Sequence, residues 1–156
     1  MNKTKVLFVC MGNICRSPSA QGVFEKLIHN KGLSHLFEVN SAGTHSYHVG
    51  NAADSRSISF AQKRGIDLTL QHARQAKSRD FEKFDYIIAM DDDNFENLKQ
   101  ICPSPEFENK LFTMMSFSEN KYYTEIPDPY YGGESGFDLV LDLLEGACNG
   151  LLKQIL

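Results

Sequence analysis

The sequence predicts an open, doubly wound α/β domain, with a four-stranded parallel sheet covered by helices on both faces. Two observations carry this expectation. Short apolar runs rich in β-formers alternate along the chain with segments whose apolar residues recur at helical spacing, and that order calls for right-handed crossovers and a parallel sheet. The first apolar run also ends in a short glycine-containing loop that leads directly into a helix start, at the carboxyl end of a strand, where sheets of this kind bind their ligands. The 156 residues suffice for a single domain over 1–156 with one sizeable core.

Taken in order, Lys5-Val6-Leu7-Phe8-Val9 reads as the first strand, and residues 17–31 carry Ala20, Val23, Phe24, Leu27 and Ile28 at helical spacing, with Gly32 as the stop. Residues 37–41 form a short candidate strand, followed by a loop over 43–50. A second helix is expected over 53–64, on Ile58, Phe60 and Ala61, with Gly65 as its end. Tyr86-Ile87-Ile88-Ala89-Met90 is apolar throughout, as a strand buried on both faces is, and residues 91–101 read as the helix after it. Asp91-Asp92-Asp93 invites a metal reading, but three acids opening a helix are accounted for by N-capping and the helix dipole. Leu111-Phe112-Thr113-Met114-Met115 is the fourth strand and residues 118–136 are irregular. A final helix is expected over 137–155, on Leu139, Val140, Leu143, Leu144, Ala147, Leu151 and Leu152.

Composition narrows the function classes. A hydrophobic content of 42% with 23% charged residues is that of a soluble globular protein. The net charge of −4 argues against a nucleic-acid binder, which needs a basic face, so any phosphate recognition is local. The apolar run after Lys3 and Lys5 is cut off by Gly12-Asn13 and Arg16, so it reads as a strand and not as a leader, and nothing is expected to span a membrane. Four cysteines, at positions 10, 15, 102 and 148, do not resemble a disulfide framework and suggest a reducing, cytoplasmic compartment. Cys-x-x-Cys pairs are absent and the histidines are scattered, so neither zinc nor another cofactor is expected.

The chemistry is concentrated in Cys10-Met11-Gly12-Asn13-Ile14-Cys15-Arg16-Ser17, which places a thiol and a guanidinium at opposite ends of one loop. At a strand-to-helix junction the unpaired backbone N–H groups and the helix dipole can hold an anion's oxygens. Gly12 lets the backbone turn, and Arg16 adds a planar fork that engages two phosphate oxygens at once. The same positive field favours a thiolate, bringing Cys10 into the range of roughly 3.5 to 7.5 found at such sites and making it a nucleophile. A buried core cysteine and a solvated arginine would give the same letters. The strand before, the glycine within and the Ser-Pro helix start after them favour the functional reading.

A phosphoryl transfer to thiolate needs a proton for the departing oxygen. Asp128, in Ile126-Pro127-Asp128-Pro129-Tyr130-Tyr131-Gly132-Gly133, is the candidate general acid and then base, since two prolines stiffen its loop. Pro-Asp-Pro is also a common surface turn, and it is the Cys10 loop that raises this aspartate above other acids.

These two segments closely resemble those of the low-molecular-weight protein tyrosine phosphatases, a likeness that covers nearly the whole chain. Residues 9–18 are similar to that family's phosphate loop, and Asp128-Pro129-Tyr130-Tyr131 to its acid loop. The resemblance implies the phosphatase I-like fold and hydrolysis of phosphotyrosine through a phosphocysteine, with Cys10 as nucleophile, Arg16 as phosphate ligand and Asp128 as acid and base. It implies that Met11, Gly12, Asn13, Ile14 and Cys15 cradle the phosphate, that Ser17 hydrogen-bonds the Cys10 sulfur, and that Asn13 braces the loop through Ser41. Tyr47, Tyr130 and Tyr131 would supply a flat aromatic wall. Ile14, apolar where related phosphoarginine phosphatases carry threonine, favours phosphotyrosine. The family often has a histidine three residues before the arginine matching Arg74. That position is Gln71 here and His72 is one place off, leaving either the glutamine in the bracing network or a shift of the segment by one residue. Cys15 is implied as the partner of Cys10 in a reversible protective disulfide; a small buried side chain beneath the loop is its other reading. The implied partners are phosphotyrosine-containing proteins, phosphate and vanadate as inhibitors, and a tyrosine kinase as counterpart.

Two other readings compete. A thioredoxin-coupled arsenate reductase shares a Cys-x5-Arg loop but adds a later redox cysteine pair, and residues 78–101 hold no cysteine. A noncatalytic phosphotyrosine- or anion-binding module would keep the loop but lose the thiol or the acid, and both are present here.

Overall fold

In the computed structural model, which describes residues 2–131 and 133–156 and leaves out the side chains of Tyr131 and Glu134, β1 (Thr4–Cys10) lies between two parallel neighbours. These are β2 (Phe37–Gly43) on one side and β3 (Tyr86–Ala89) on the other, and β4 (Leu111–Thr113) pairs in parallel with β3. The strand order is therefore β2-β1-β3-β4. Because the chain leaves β1 in one direction to reach β2 and returns on its other side for β3, the carboxyl end of β1 is a topological switch point, where a crevice opens in such sheets. Cys10 is the last residue of that strand.

Both faces of the sheet are covered. Val6, Phe8 and Cys10 turn toward a core shared with α1 (Arg16–Asn30) and the long C-terminal helix α5 (Glu134–Ile155). Leu7 and Val9 turn to the other face, against Phe81, Phe84 and Leu98 from α3 (Asp80–Lys83), the residue after it, and α4 (Asp92–Ile101). This period-two division of a continuously apolar strand is what a doubly covered parallel strand requires. The remaining helix, α2 (Ser55–Gln62), is capped by the Asp54 side chain, which accepts from the Arg56 N–H. Among the described residues, no helix is long and apolar enough to cross a membrane.

Several boundaries differ from the sequence expectation, each for a local reason. The first helix stops where expected: Gly32 takes φ +70°, and the Leu33 N–H returns to the Ile28 carbonyl, a left-handed termination that glycine adopts without strain. The fourth strand is shorter than its apolar run. Met114, Met115 and Phe117 are buried in a 3-10 turn beneath α5, and a continuous apolar stretch does not reveal where pairing ends. Helix α5 begins at Glu134, before its apolar residues start, and because Glu134-Ser135-Gly136 lacks the periodic signal, sequence spacing places the start later. The one-turn helix α3 carries no pattern that sequence spacing could register.

Candidate active site

The loop between β1 and α1 is held from outside by its carbonyls. Those of Cys10 and Met11 accept from the N–H groups of Thr44 and His45 at 2.8 and 3.0 Å, and that of Ile14 from the Asp54 N–H at 2.8 Å. With the carbonyls turned outward, the loop's amides are the groups that can meet an anion. The chain end of β2 packs directly beneath: a Cβ at Gly43 would lie 2.7 Å from the Met11 carbonyl oxygen, so only glycine permits this approach.

Asn13 is the centre of the support. It takes φ 59°, a left-handed conformation that asparagine tolerates better than most residues. Its amide donates to Ser17 Oγ at 2.8 Å and to Ser41 Oγ at 2.9 Å, while its Oδ1 accepts from the Arg74 N–H at 3.0 Å. Ser41 Oγ in turn lies 3.2 Å from Gln71 Oε1, and Gln71 Nε2 donates to the Pro18 carbonyl at 3.0 Å. Gln71 therefore occupies the bracing position and His72 is exposed, which resolves the two alternatives without a shift of the segment. The consequence reaches the thiol. Ser17 Oγ lies 3.0 Å from Cys10 Sγ, and because it already accepts from Asn13, its own proton is free to serve the sulfur or the Ala42 carbonyl at 3.3 Å. The Asn13 N–H points at the same sulfur, 3.3 Å away.

Arg16 is nearly enclosed, with its side chain 4% exposed. Nη1 donates to Asp91 Oδ2 at 2.6 Å and to the Ile126 carbonyl at 3.0 Å, and Nη2 lies 3.6 Å from Asp128 Oδ2. Burial by itself disfavours the charge, but the Cys10 sulfur, Asp91 and Asp128 outweigh it and raise the guanidinium's pKa, so Arg16 stays cationic. Asp91 is a partner of Arg16 that sequence reasoning missed. Its capping role is present, since Asp91 and Asn94 form a reciprocal capping box at the head of α4. The other carboxylate oxygen holds Arg16, a contact across 75 residues that no local pattern encodes.

Asp128 is shaped by its loop. Its Oδ1 accepts from the Tyr130 N–H at 3.0 Å, closing a turn into the 3-10 segment Pro129–Tyr131, and the side chain remains partly exposed at the cavity mouth. Met11, Gly12, Ile14 and Cys15 line that cavity together with Cys10, Arg16, Asp128 and Tyr130. Asn13, Ser17 and Ser41 sit buried in the supporting network. Tyr47 does not line the cavity as the aromatic wall expected of it would. Its ring stacks on His45, 5.2 Å between centroids, and stands 71% exposed, while His48 from the same loop takes the lining position. The Tyr131 side chain lies outside the described residues.

The cysteines divide by environment. Cys15 is buried, and that burial, reinforced by the charges of Asp54, Cys10 and Asp128, pushes its thiol up to about 12. Cys102 packs with the core on the α4 side of the sheet, whereas Cys148 is enclosed in the core between α1 and α5, so the two cannot act as a relay pair.

The arrangement can hold a tetrahedral anion above a thiol, with a cation at its side and a carboxyl at the mouth. The family model for low molecular weight phosphotyrosine protein phosphatases matches residues 5–156. A crystal structure of a protein tyrosine phosphatase from Entamoeba histolytica, with Hepes in its active site, superposes with a TM-score of 0.94 at 46% identity, covering 98% of this chain and 97% of that one. The low molecular weight phosphotyrosine protein phosphatase of Rattus norvegicus is 40% identical over 153 residues, 96% of this chain and 94% of the relative. The Drosophila arginine phosphatase DARP superposes with a TM-score of 0.91 at 32% identity, over 97% and 98% of the two chains.

Proposed function

The chain belongs to the low molecular weight phosphotyrosine protein phosphatase family, a family of cysteine-dependent phosphatases, and from that premise we propose which residues carry its reaction. The Cys10 sulfur attacks phosphorus in line with the departing aryl oxygen, which leaves with the proton of Asp128. Arg16 and the loop amides hold the equatorial oxygens as charge spreads onto them. A water then attacks the phosphocysteine and gives its proton to Asp128, the P–S bond breaks, and inorganic phosphate departs. The Ser17 hydroxyl, 3.0 Å from Sγ, stabilises the thiolate that leaves in this second step. What carries the reading is that a single cavity holds Cys10, Arg16 and Asp128.

We read residues 1–156 as one domain and the substrates as phosphotyrosine-containing proteins of the cytoplasm, opposed by a tyrosine kinase. Ile14 on the cavity wall and the Tyr130 ring at its mouth suit a phenyl group, in keeping with phosphotyrosine over phosphoarginine. Cys15 serves as resolving thiol. Peroxide oxidises the Cys10 sulfur to a sulfenic acid, and the Cys15 sulfur attacks it, its proton leaving with the sulfenic hydroxyl as water, to form a disulfide that thiol reductants reopen. Burial holds Cys15 protonated, which disfavours it as the site of the first oxidation.

The test is phosphate release, in chelator, from one peptide sequence carrying phosphotyrosine, phosphoserine or phosphoarginine. Rapid release from the phosphotyrosine form alone supports the assignment. Preference for phosphoarginine would overturn the role given to Ile14.

A further inference from the structure

We propose that Arg56 is a positioning residue that holds the acid loop against the phosphate loop, an inference that rests on Asp128 being the general acid. Pro127 and Pro129 have no N–H to donate, so the segment around Asp128 has few backbone means of attaching itself to the body of the protein. Arg56 supplies the attachment from outside. Its guanidinium carbon lies 5.4 Å from the centroid of the Tyr130 ring and 4.8 Å from that of Phe137, which stands in the first turns of α5. Its Nη2 also donates to the Tyr130 carbonyl at 3.5 Å.

The other end of the contact is fixed. Nε and Nη2 of Arg56 each lie 3.3 Å from an oxygen of Asp54, and the Asp54 N–H donates to the Ile14 carbonyl of the phosphate loop at 2.8 Å. A continuous path therefore runs from Ile14 through Asp54 and Arg56 to Tyr130, whose N–H holds Asp128 Oδ1 at 3.0 Å. It joins three segments remote in sequence. An arginine suits the position because a planar guanidinium can lie against an aromatic ring while its edge engages a carboxylate, whereas a lysine's single ammonium has no planar fork to serve both partners at once. Arg56 does not itself line the cavity and meets the lining through Tyr130, so its influence on the reaction passes through the placement of Asp128.

The test compares two aryl phosphates, phenyl phosphate, whose leaving group needs a proton, and the ester of a strongly acidic phenol, which needs one much less. Arg56→Ala is expected to lower kcat/KM, which reports the steps up to loss of the aryl oxygen, by about tenfold for phenyl phosphate and far less for the activated ester, since misplacing a catalytic group by an ångström costs up to about 10²-fold. Inhibition by inorganic phosphate should be unchanged, and Arg56→Lys should recover part of the loss. In an Asp128→Asn background the Arg56→Ala change should cost nothing further, because the group it positions is gone. A loss that is absent, equal for both esters, or undiminished in that background overturns the proposal and leaves Asp128 in its role. If Asp128→Asn itself does not slow phenyl phosphate, the acid assignment fails and this inference fails with it.

Discussion

Asp91 Oδ2 lies 2.6 Å from Arg16 Nη1, so the buried cation of the phosphate loop is held from just beyond the neighbouring strand β3 by the residue that caps α4. The same carboxylate thus ends one element and aims another. A buried arginine needs such a partner, and a fork already oriented loses less freedom when substrate arrives. Asp91→Asn keeps a good helix cap while removing the charge. It is expected to lower kcat/KM on a phosphotyrosine peptide by about 10²-fold, the scale of a misaligned binding group. Retained activity would show that Arg16 is oriented by the Ile126 carbonyl and Asp128 alone.

Gln71 joins the Ser41 hydroxyl to the Pro18 carbonyl and so closes the network that ends at the Cys10 sulfur. Gln71→Ala leaves both groups without that partner, at a cost of about 1 to 3 kcal/mol. Urea unfolding should register the loss, together with reduced kcat. Gln71→His, which keeps a hydrogen-bonding side chain at this place, should retain more of both.

Asp54 offers a pH-dependent check. Burial would raise its pKa, but hydrogen bonds from the Arg56 side chain and backbone outweigh that effect and hold it below the ordinary carboxylate value. A carboxylate depressed in the folded state adds stability that is present above its unfolded pKa of about 3.9 and is lost as pH falls through the lower folded value. Asp54→Asn preserves the cap of α2 and removes the charge. The wild type should therefore exceed the variant in urea midpoint at pH 7, with the difference shrinking in acid below pH of about 4.

Two glycines separate stability from activity. A methyl at Gly150 would run into the Phe117 carbonyl where α5 crosses the 3-10 turn, far from the cavity. Gly150→Ala should cost about 1 to 3 kcal/mol in unfolding free energy, as overpacking does, with kcat nearly intact in the folded fraction. Gly43→Ala presses on Met11 and on the Asn13 backbone, and it should lower kcat more than its unfolding midpoint explains.

The sheet, its parallel sense and the Cys10 loop were legible because each is written locally. Five apolar residues in a row make a doubly covered strand, and a thiol, a glycine and an arginine across a strand-to-helix junction make an anion loop. Ser17 and Asn13 were legible through the family likeness. Asp91 was read as a cap and no more, because its contact with Arg16 exists only once β1 and β3 are paired. Tyr47 and His48 are neighbours in one loop, and sequence could not tell which of them turns inward. Arg56 gave no signal, since Tyr130 and Phe137, the partners that tie it to the acid loop and α5, lie more than 70 positions away.

The central claim is a covalent phosphoryl group on the Cys10 sulfur, and rapid acid quenching of the enzyme during turnover of an aryl phosphate, followed by peptide mass mapping, tests it most directly. One phosphoryl group on the peptide bearing Cys10, absent after thiol alkylation and in Cys10→Ser, is the predicted result. Undiminished turnover by Cys10→Ser, or a phosphoryl group on another residue, would contradict the account.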